Sequence, residues 1–278
     1  MVFIKPKNSL GKKQPEKPLR HTTKVSARDN HLHLLWVLAK IDFKLRYHGS
    51  VLGYVWSLLK PLLLFAVLYV VFSIFMRWNI QHYQLYLLLG IILWNFFAEG
   101  TMAGLSSLVA KADIIKKIYF PRILIVLAST VSALLTLLLN IVIFFVFYFL
   151  NGLGLHWWML LFLLYLAVLY LFVVGISLLL SVLQARYRDI VQIWEVTLQA
   201  GFFMTPVIYP LQVIPEQYWW YLSLNPLTSI IQYSRLLLIH SQLPTLLATV
   251  YVTTGMLMIG FISLLAFNKL SKDIAEKI

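Results

Sequence analysis

The chain of 278 residues is 61% hydrophobic and only 12% charged, and its formal net charge is +13. So large an apolar share with so few charges excludes an ordinary soluble domain and is typical of membrane proteins. The sequence contains no cysteine, which excludes disulfides and thiolate metal sites. Where the charges lie along the chain therefore matters more than their total.

The first 29 residues form a basic tail. Its cations outnumber Glu16 and Asp29, and they are Lys5, Lys7, Lys12, Lys13, Lys17, Arg20, Lys24 and Arg28. The tail lacks the apolar core of a cleavable signal peptide. We expect a disordered cytoplasmic arm, with contact to anionic lipid headgroups as the alternative.

Residues 30–53 follow as a predicted interface helix. Apolar residues recur there at helical spacing, namely Leu34, Leu38, Ile41 and Leu45. The charged residues lie off this stripe: Asp42, Lys44 and Arg46. Such a pattern predicts an amphipathic helix lying in the membrane interface, before a turn that Gly49 and Gly53 permit.

Six apolar runs follow, at 55–76, 83–105, 122–150, 157–183, 190–209 and 244–267. Each has about 20 residues or more, enough to cross a bilayer as a helix, and none shows the alternation of a membrane β-barrel. We therefore predict an all-α integral membrane protein with six transmembrane helices. A single transmembrane domain would cover 30–278 and end in a short cytoplasmic C-terminus.

The charges predict the orientation. With the N-terminus inside, the inner segments hold Lys111, Lys116, Lys117, Arg122, Arg186, Arg188, Lys269, Lys272 and Lys277. The outer segments hold Arg77 and Arg235. The positive-inside rule then places both termini in the cytoplasm. Because these cations mark a membrane leaflet and no base-stacking platform accompanies them, we expect no nucleic-acid partner.

Two inner segments are too polar to span. Residues 106–121 predict a short helix that ends before Pro121, and residues 186–189 form a very short connection. Each is either a docking element for a cytoplasmic partner or a loop that only fixes the topology.

The outer segment 206–235 is hydrophobic but broken by prolines, at Pro206, Pro210, Pro215 and Pro226. Two short re-entrant helices, roughly 211–222 and 226–238, fit its length. Irregular backbone at membrane depth must pack in protein or line a wet cavity, so we expect a pathway mouth here. An interfacial aromatic belt at 218–221 is the alternative.

Catalytic signatures are missing. The sequence has no G-x-x-x-x-G-K-[ST] phosphate loop, no H-E-x-x-H and no G-x-S-x-G. Two carboxylates lie within predicted crossings, Glu99 and Glu195, and a buried carboxylate suggests an interior-facing role. Water access near the inner edge is a simpler explanation for Glu195. We expect no catalytic residue, no metal site and no cofactor in this chain.

Five pieces of the chain, in order, resemble the membrane subunit of ABC-2 type exporters of polysaccharides. They are DFKLRYHGSVLGYVWSLLKPLL (42–63), KKIYFPR (116–122), RYRDI (186–190), TPVIYP (205–210) and IPEQYWWYLSLNPLTSIIQYSR (214–235). This family includes permeases for O-antigen, capsule and teichoic-acid polymers. The resemblance implies an inner-membrane homodimer around a channel for a lipid-linked glycan, with O-antigen favoured. It also implies two copies of a separate ATPase subunit, which would hold ATP and Mg.

The resemblance implies roles by position. The ATPase-coupling residues would be Asp42, Lys44, Arg46, Tyr47, Asp113, Lys116, Lys117, Tyr119, Arg186, Arg188 and Asp189. The outer gate would comprise Tyr218, Trp219, Trp220, Asn225 and Pro226. A polymer channel would suit the aromatic residues Phe65, Tyr69, Phe72, Trp94 and Phe97, since aromatic faces offer apolar surface to sugar rings. Packing against lipid or between helices is the alternative for each of these five.

Two functions from other classes compete with this interpretation. A multispanning glycosyltransferase or polymerase would need carboxylates or a donor-binding loop at the membrane face. An ion-coupled transporter would favour broken helices in two matching halves, and the sequence shows one broken element. The glycosyltransferase is the stronger of the two alternatives.

Overall fold

The computed structural model describes residues 27–47, 53, 55–76, 80–117 and 121–271. Regular structure in these ranges is helical throughout, which confirms the all-α prediction. The helices are α1 (Ala27–Tyr47), α2 (Val55–Tyr69), α3 (Tyr83–Ala110), α4 (Ala112–Lys117), α5 (Ile123–Leu150), α6 (Leu160–Arg186), α7 (Ile190–Met204), α8 (Trp219–Leu224), α9 (Pro226–Leu238) and α10 (Leu246–Leu270). The predicted disordered tail lies outside the described residues, apart from the start of α1.

Five helical segments are long and apolar enough to cross a membrane: Val55–Phe75, Tyr83–Ala110, Ile123–Leu150, Trp157–Arg186 and Leu246–Leu270. The first of these is α2 continued by a π-helical stretch, and the fourth is α6 preceded by one 3₁₀ turn. The multispanning prediction is therefore confirmed. The predicted crossing at 190–209 instead holds α7, which is 15 residues long, and then non-helical chain. The count of six crossings stays a prediction.

α3 lies at the centre of the bundle and packs against α5, α6 and α7. Buried residues make up 78% of its most apolar stretch, against 11% for α2 at the periphery. Glycines allow the neighbouring helices to approach closely. A Cβ on Gly175 of α6 would lie 2.5 Å from the Gly260 Cα of α10, so these two backbones touch.

A proline within α2 is compensated by a side chain of α5. Pro61 has no N–H, so the carbonyl of Ser57, four residues earlier, loses its helical donor. Asn140 Nδ2 donates to this carbonyl at 3.3 Å and also to the Thr136 carbonyl at 2.9 Å. This backbone carbonyl thus joins α2 to α5 inside the bundle.

Several predicted boundaries differ from the observed ones. The interface helix was expected at 30–53, whereas α1 ends at Tyr47 and most of the next seven residues lie outside the described ranges. The inner segment 106–121 is not a separate element, because α3 continues to Ala110 before α4 begins. Lys111, in a turn, separates the two helices, and residues 118–120 lie outside the described ranges.

In the proline-rich outer segment, only one of the two predicted helices matches an observed helix. The second predicted helix, 226–238, matches α9 at both ends, because Asn225 caps it and Pro226 occupies its first turn. The first, 211–222, was wrong as a continuous helix. It is broken into 3₁₀ turns at Leu211–Val213 and Glu216–Tyr218, followed by α8, since Pro215 interrupts the helical hydrogen bonding.

We predict that replacing Gly175 with alanine destabilises the bundle while replacing Gly255 does not. The new methyl at 175 would overlap the α10 backbone, and such overpacking costs about 1–3 kcal/mol of unfolding free energy. A Cβ on Gly255, also within a helix, has no heavy atom within 4 Å. Thermal unfolding of both variants in the same detergent measures the difference. Equal midpoints for the two variants would contradict the close approach of α6 and α10.

Candidate functional site

The bundle has two chemically different ends. The basic end holds the C-termini of α3 and α10 and the N-terminus of α5, where the Arg122 guanidinium donates to the Ser271 carbonyl. The proline end holds the N-termini of α3, α6 and α10, where Tyr165 of α6 and Thr249 of α10 share a hydrogen bond of 2.9 Å. Each end carries residues that the sequence singled out.

At the proline end, α7 stops at Met204, and the Thr205 amide makes its last helical hydrogen bond, to the Gly201 carbonyl at 2.8 Å. The chain continues as non-helical turns through residues 205–209, TPVIY, here called the unwound segment. Pro206 and Pro210 lack the N–H that a helix would require. Thr205, Pro206, Val207 and Ile208 are nevertheless buried. Buried backbone outside a helix needs hydrogen-bond partners from elsewhere.

Side chains of α3 and α9 supply those partners. The carbonyls of residues 206–209 each accept one hydrogen bond from a side chain. Arg235 donates to two of these carbonyls, and Tyr83 and Tyr86 donate to one each. The contacts are Arg235 Nη1 to Pro206 O (2.7 Å), Arg235 Nη2 to Val207 O (2.6 Å), Tyr83 Oη to Ile208 O (3.0 Å) and Tyr86 Oη to Tyr209 O (3.2 Å). The unwound segment is thus held along one row of carbonyls.

Arg235 makes the largest contribution to this row. Its side chain is 1% exposed, and Nε and Nη2 also donate to the Tyr86 carbonyl at 3.2 and 3.0 Å. Its guanidinium carbon lies 3.4 Å from the centre of the Tyr86 ring, within cation–π range. Arginine stays charged in proteins, so this buried cation is stabilised by carbonyl dipoles and a ring face.

Gly90 of α3 leaves the space that the guanidinium occupies. A Cβ at this position would lie 2.4 Å from Arg235 Nη2 and 2.9 Å from the Val207 carbonyl oxygen. Any larger residue would displace one or the other. Gly90 therefore belongs to the site although it contributes no side chain.

One of the predicted gate residues, Asn225, attaches α9 to the unwound segment. Asn225 Nδ2 donates to Thr205 Oγ1 at 2.9 Å, while its Oδ1 accepts from the Leu227 amide at 3.1 Å. Pro226 opens α9. Asn225 and Arg235 thus both bind the unwound segment, Asn225 at Thr205 and Arg235 at the Pro206 carbonyl.

The other predicted gate residues lie on an exposed flap, defined as residues 211–224. Tyr218, Trp219 and Trp220 are exposed, and Trp219 Nε1 donates to the Ile214 carbonyl within the flap at 3.0 Å. Their role in a gate stays a prediction.

At the basic end, Asp42 joins three elements. Its Oδ2 pairs with Lys111 Nζ at 2.5 Å, just after α3, and accepts from Ser129 Oγ of α5 at 3.2 Å. Both charged side chains are mostly buried, with 18% and 15% exposed. α1 also packs along α5. The predicted interface helix therefore rests on α3 and α5.

The remaining predicted coupling residues are placed as follows. Lys44, Asp113, Lys116, Arg186, Arg188 and Asp189 have exposed side chains. Arg46, Tyr47 and Lys117 lie on helices, but their side chains fall outside the described part of the structure, as does all of Tyr119. The coupling role of these residues stays a prediction.

The predicted channel aromatics lie mainly within the chain's own core. Phe97 stacks on Phe172 with ring centres 5.9 Å apart, and Trp94 meets Phe202 edge-on at 6.0 Å. Phe65 is also buried, whereas Tyr69 and Phe72 are half-buried against the same core. The role of these five residues in a channel stays a prediction.

The two intramembrane carboxylates differ in their surroundings. Glu99 lines a small pocket between α2, α3 and α5, together with Asn95, Thr136 and Asn140. Glu195 is exposed on α7. The described residues contain no group of three or more His, Cys, Asp or Glu side chains able to hold a metal.

Sequence reasoning missed the four residues that organise the proline end: Tyr83, Tyr86, Gly90 and Arg235. The charge pattern counts Arg235 among the cations of the outer segments, within the predicted re-entrant helix 226–238, whereas the structure buries it fully. The available signal was its position inside the apolar stretch SIIQYSRLLL, where a solvated loop is not expected.

Comparison with known proteins agrees with this architecture. The ABC-2 type transporter family matches residues 33–239. An O-antigen export system permease protein RfbA of Klebsiella pneumoniae is 34% identical over 246 residues, which cover 87% of this chain and 94% of the relative. An RfbA of Myxococcus xanthus is 28% identical over 213 residues, covering 76% and 82%.

A weaker match covers a shorter part. The polysialic acid transport protein KpsM of Escherichia coli is 33% identical over 61 residues, which are 22% of this chain and 24% of the relative. The contacts of Asp42 with Lys111 and Ser129 are here called the Asp42 node. The family match spans most of the chain and includes both this node and the unwound segment, so the assignment does not rest on one motif. This chain belongs to the ABC-2 type transporter family of membrane permeases.

Proposed function

We propose that this chain is the membrane subunit of an ABC exporter that moves a lipid-linked polysaccharide, O-antigen in the first place, across the inner membrane. The observation that carries the proposal is the likeness to the O-antigen export permease over 87% of the chain. The helical bundle, with an unwound segment held at one end, is compatible with a transport pathway.

The energy would come from another subunit. The sequence has no phosphate loop, so ATP and Mg would bind to a separate ATPase. Two ATPase copies and a homodimer of this chain complete the proposal, and both rest on the family resemblance.

We infer a sixth crossing made of α7 together with the unwound segment. Trp194 Nε1 of α7 donates to Thr101 Oγ1 of α3 at 3.0 Å, and fifteen residues away on α3, Tyr86 binds Tyr209 O. Fifteen helical residues span about 22 Å, so this part of the chain runs antiparallel to α3 for most of a bilayer core of about 30 Å. The flap and α9 would then re-enter from the outer side.

Six crossings would leave both termini on one side of the membrane. The positions of the described cations agree with this arrangement, since Lys111, Arg122 and Lys269 all lie at the basic end. The positive-inside rule favours the cytoplasm for that end. The proline end would then face the periplasm.

The Asp42 node supports a specific route for coupling. A displacement of α1 by an ATPase would be transmitted through the Asp42–Lys111 ion pair to the end of α3. The packing of α1 along α5 would transmit it to α5 as well. α3 in turn carries Tyr83, Tyr86 and Gly90 at its other end. The central helix thus connects the predicted docking surface with the unwound segment.

Charge exchange at the node tests this route. We expect Asp42→Lys and Lys111→Asp each to lower export, because leaving a partly buried charge unpaired costs about 1–3 kcal/mol. The double exchange should recover part of the loss, since residues in contact couple by about 0.5–3 kcal/mol. Export is read as surface glycan at matched permease levels.

Ser129→Ala is the matched control and should have the smaller effect. It removes the contact to Asp42 at 3.2 Å and one to the Ile125 carbonyl within α5, but leaves the Asp42–Lys111 pair in place. A double exchange no better than the worse single variant would count against the pair.

Hydrolysis measurements test the division of labour between subunits. The purified chain should show no ATPase activity in detergent or nanodiscs, and activity should appear when its partner ATPase is added, because the chain has no phosphate loop. Rapid hydrolysis by this chain alone, with contaminating ATPases excluded by mass spectrometry, would contradict the proposal.

Deletion of the gene tests the cargo. We expect lipopolysaccharide without O-antigen, and lipid-linked glycan accumulating on the cytoplasmic side, both reversed by a plasmid copy. Loss of capsule with O-antigen intact would favour the second candidate, for which the match to the polysialic acid transport protein is the supporting observation. Loss of glycan synthesis itself would favour the glycosyltransferase class.

A further inference from the structure

Arg235 connects three parts of the chain that are far apart in sequence. Its guanidinium binds carbonyls of α3 and of the unwound segment from a position on α9. α9 has two further links to the same parts, Gln232 Nε2 to Tyr86 Oη at 3.4 Å and Asn225 to Thr205 at 2.9 Å. α3, the unwound segment and α9 therefore share one hydrogen-bond network.

If these three parts separated, the groups of the network would lose their hydrogen-bond partners and find no others. The guanidinium would lose its carbonyl partners and the Tyr86 ring, and the carbonyls of residues 206–209 would lose their donors. Arg235, Val207 and Ile208 are nearly inaccessible to water, which could otherwise substitute. Separating α3, the unwound segment and α9 would therefore cost far more free energy than a movement elsewhere in the outer segment.

The flap, residues 211–224, has the opposite character. Its backbone makes short-range hydrogen bonds, such as Ile214 N to Leu211 O at 3.0 Å and Tyr218 N to Pro215 O at 3.0 Å. Most of its side chains are exposed. An open groove of about 500 Å³ lies between its last residue, Leu224, and Tyr251 and Met258 of α10. The flap is thus largely exposed and has room to move.

We propose that Arg235 is a positioning residue that keeps α3, the unwound segment and α9 together as one rigid unit throughout the transport cycle. Gate movement is then confined to the flap, between Pro210 and Asn225. This inference rests on the proposed export function, because it assigns the moving and the fixed parts of that gate.

The absence of cysteine makes the proposal measurable, since a single introduced thiol is the only one in the chain. Val207→Cys places it in the unwound segment, where the side chain is 0% exposed, and Trp220→Cys places it on the flap, where the side chain is 65% exposed. Each variant, assembled with its ATPase in lipid vesicles, is exposed to a maleimide at rest and during ATP hydrolysis. Labelling is read by intact mass.

We expect the thiol at 207 to be labelled no faster during hydrolysis than at rest, while the thiol at 220 is labelled readily. Adding Arg235→Ala should raise the labelling rate at 207 by roughly tenfold or more, because the free energy of the local opening falls. It should also lower the glycan exported per ATP hydrolysed, a ratio that does not depend on the amount of folded complex. Where that variant fails to accumulate, Gly90→Ala provides the same comparison, since its methyl displaces the guanidinium.

Two results would overturn the proposal. Faster labelling at 207 during hydrolysis with Arg235 intact would show that the unit opens in the cycle. Unchanged labelling and an unchanged export ratio in both the Arg235 and Gly90 variants would show that Arg235 does not hold it. Wild-type complex that exports no glycan would instead refute the proposed function, so the two failures are distinguishable.

Discussion

The structure depends on how non-helical backbone is satisfied inside a helical membrane bundle. Residues 205–209 leave the helix because of Pro206 and the following Pro210, and their buried carbonyls need hydrogen-bond donors from elsewhere. Arg235, Tyr83 and Tyr86 provide the donors, and Gly90 provides the space. Without this network the chain would have no stable way to end α7 and turn back through α9.

α3 unites the two ends of the molecule. Its C-terminal end meets Asp42 through Lys111, and its N-terminal end carries the tyrosines that hold the unwound segment. Its middle is the most buried helical stretch of the described chain. A rigid central helix bound at both ends explains how an event at the predicted docking surface could be felt at the predicted gate, some 40 Å away by the rise of 28 helical residues.

Much of the fold was accessible from the sequence because hydropathy and capping are local signals. The bounds of α9 follow from Asn225 and Pro226, and the long crossings follow from their apolar runs. Arg235 was misjudged because a charge count treats every cation as solvated, whereas backbone carbonyls from distant residues satisfy this one. The extension of α3 to Ala110 was missed because polar residues near its end were interpreted as a boundary, although tertiary packing keeps them helical. The roles of the coupling and channel residues depend on partner subunits, which no single chain encodes.

The central claim is that this chain conducts a lipid-linked glycan when another subunit hydrolyses ATP. Vesicles containing the purified chain, its ATPase partner and fluorescent lipid-linked O-antigen test it directly, with a lectin on the far side reporting arrival of the glycan. The account predicts ATP-dependent arrival that requires both proteins and falls sharply when Arg235 is replaced by alanine. Arrival without ATP or without this chain, or no arrival from a complex that hydrolyses ATP, would contradict it.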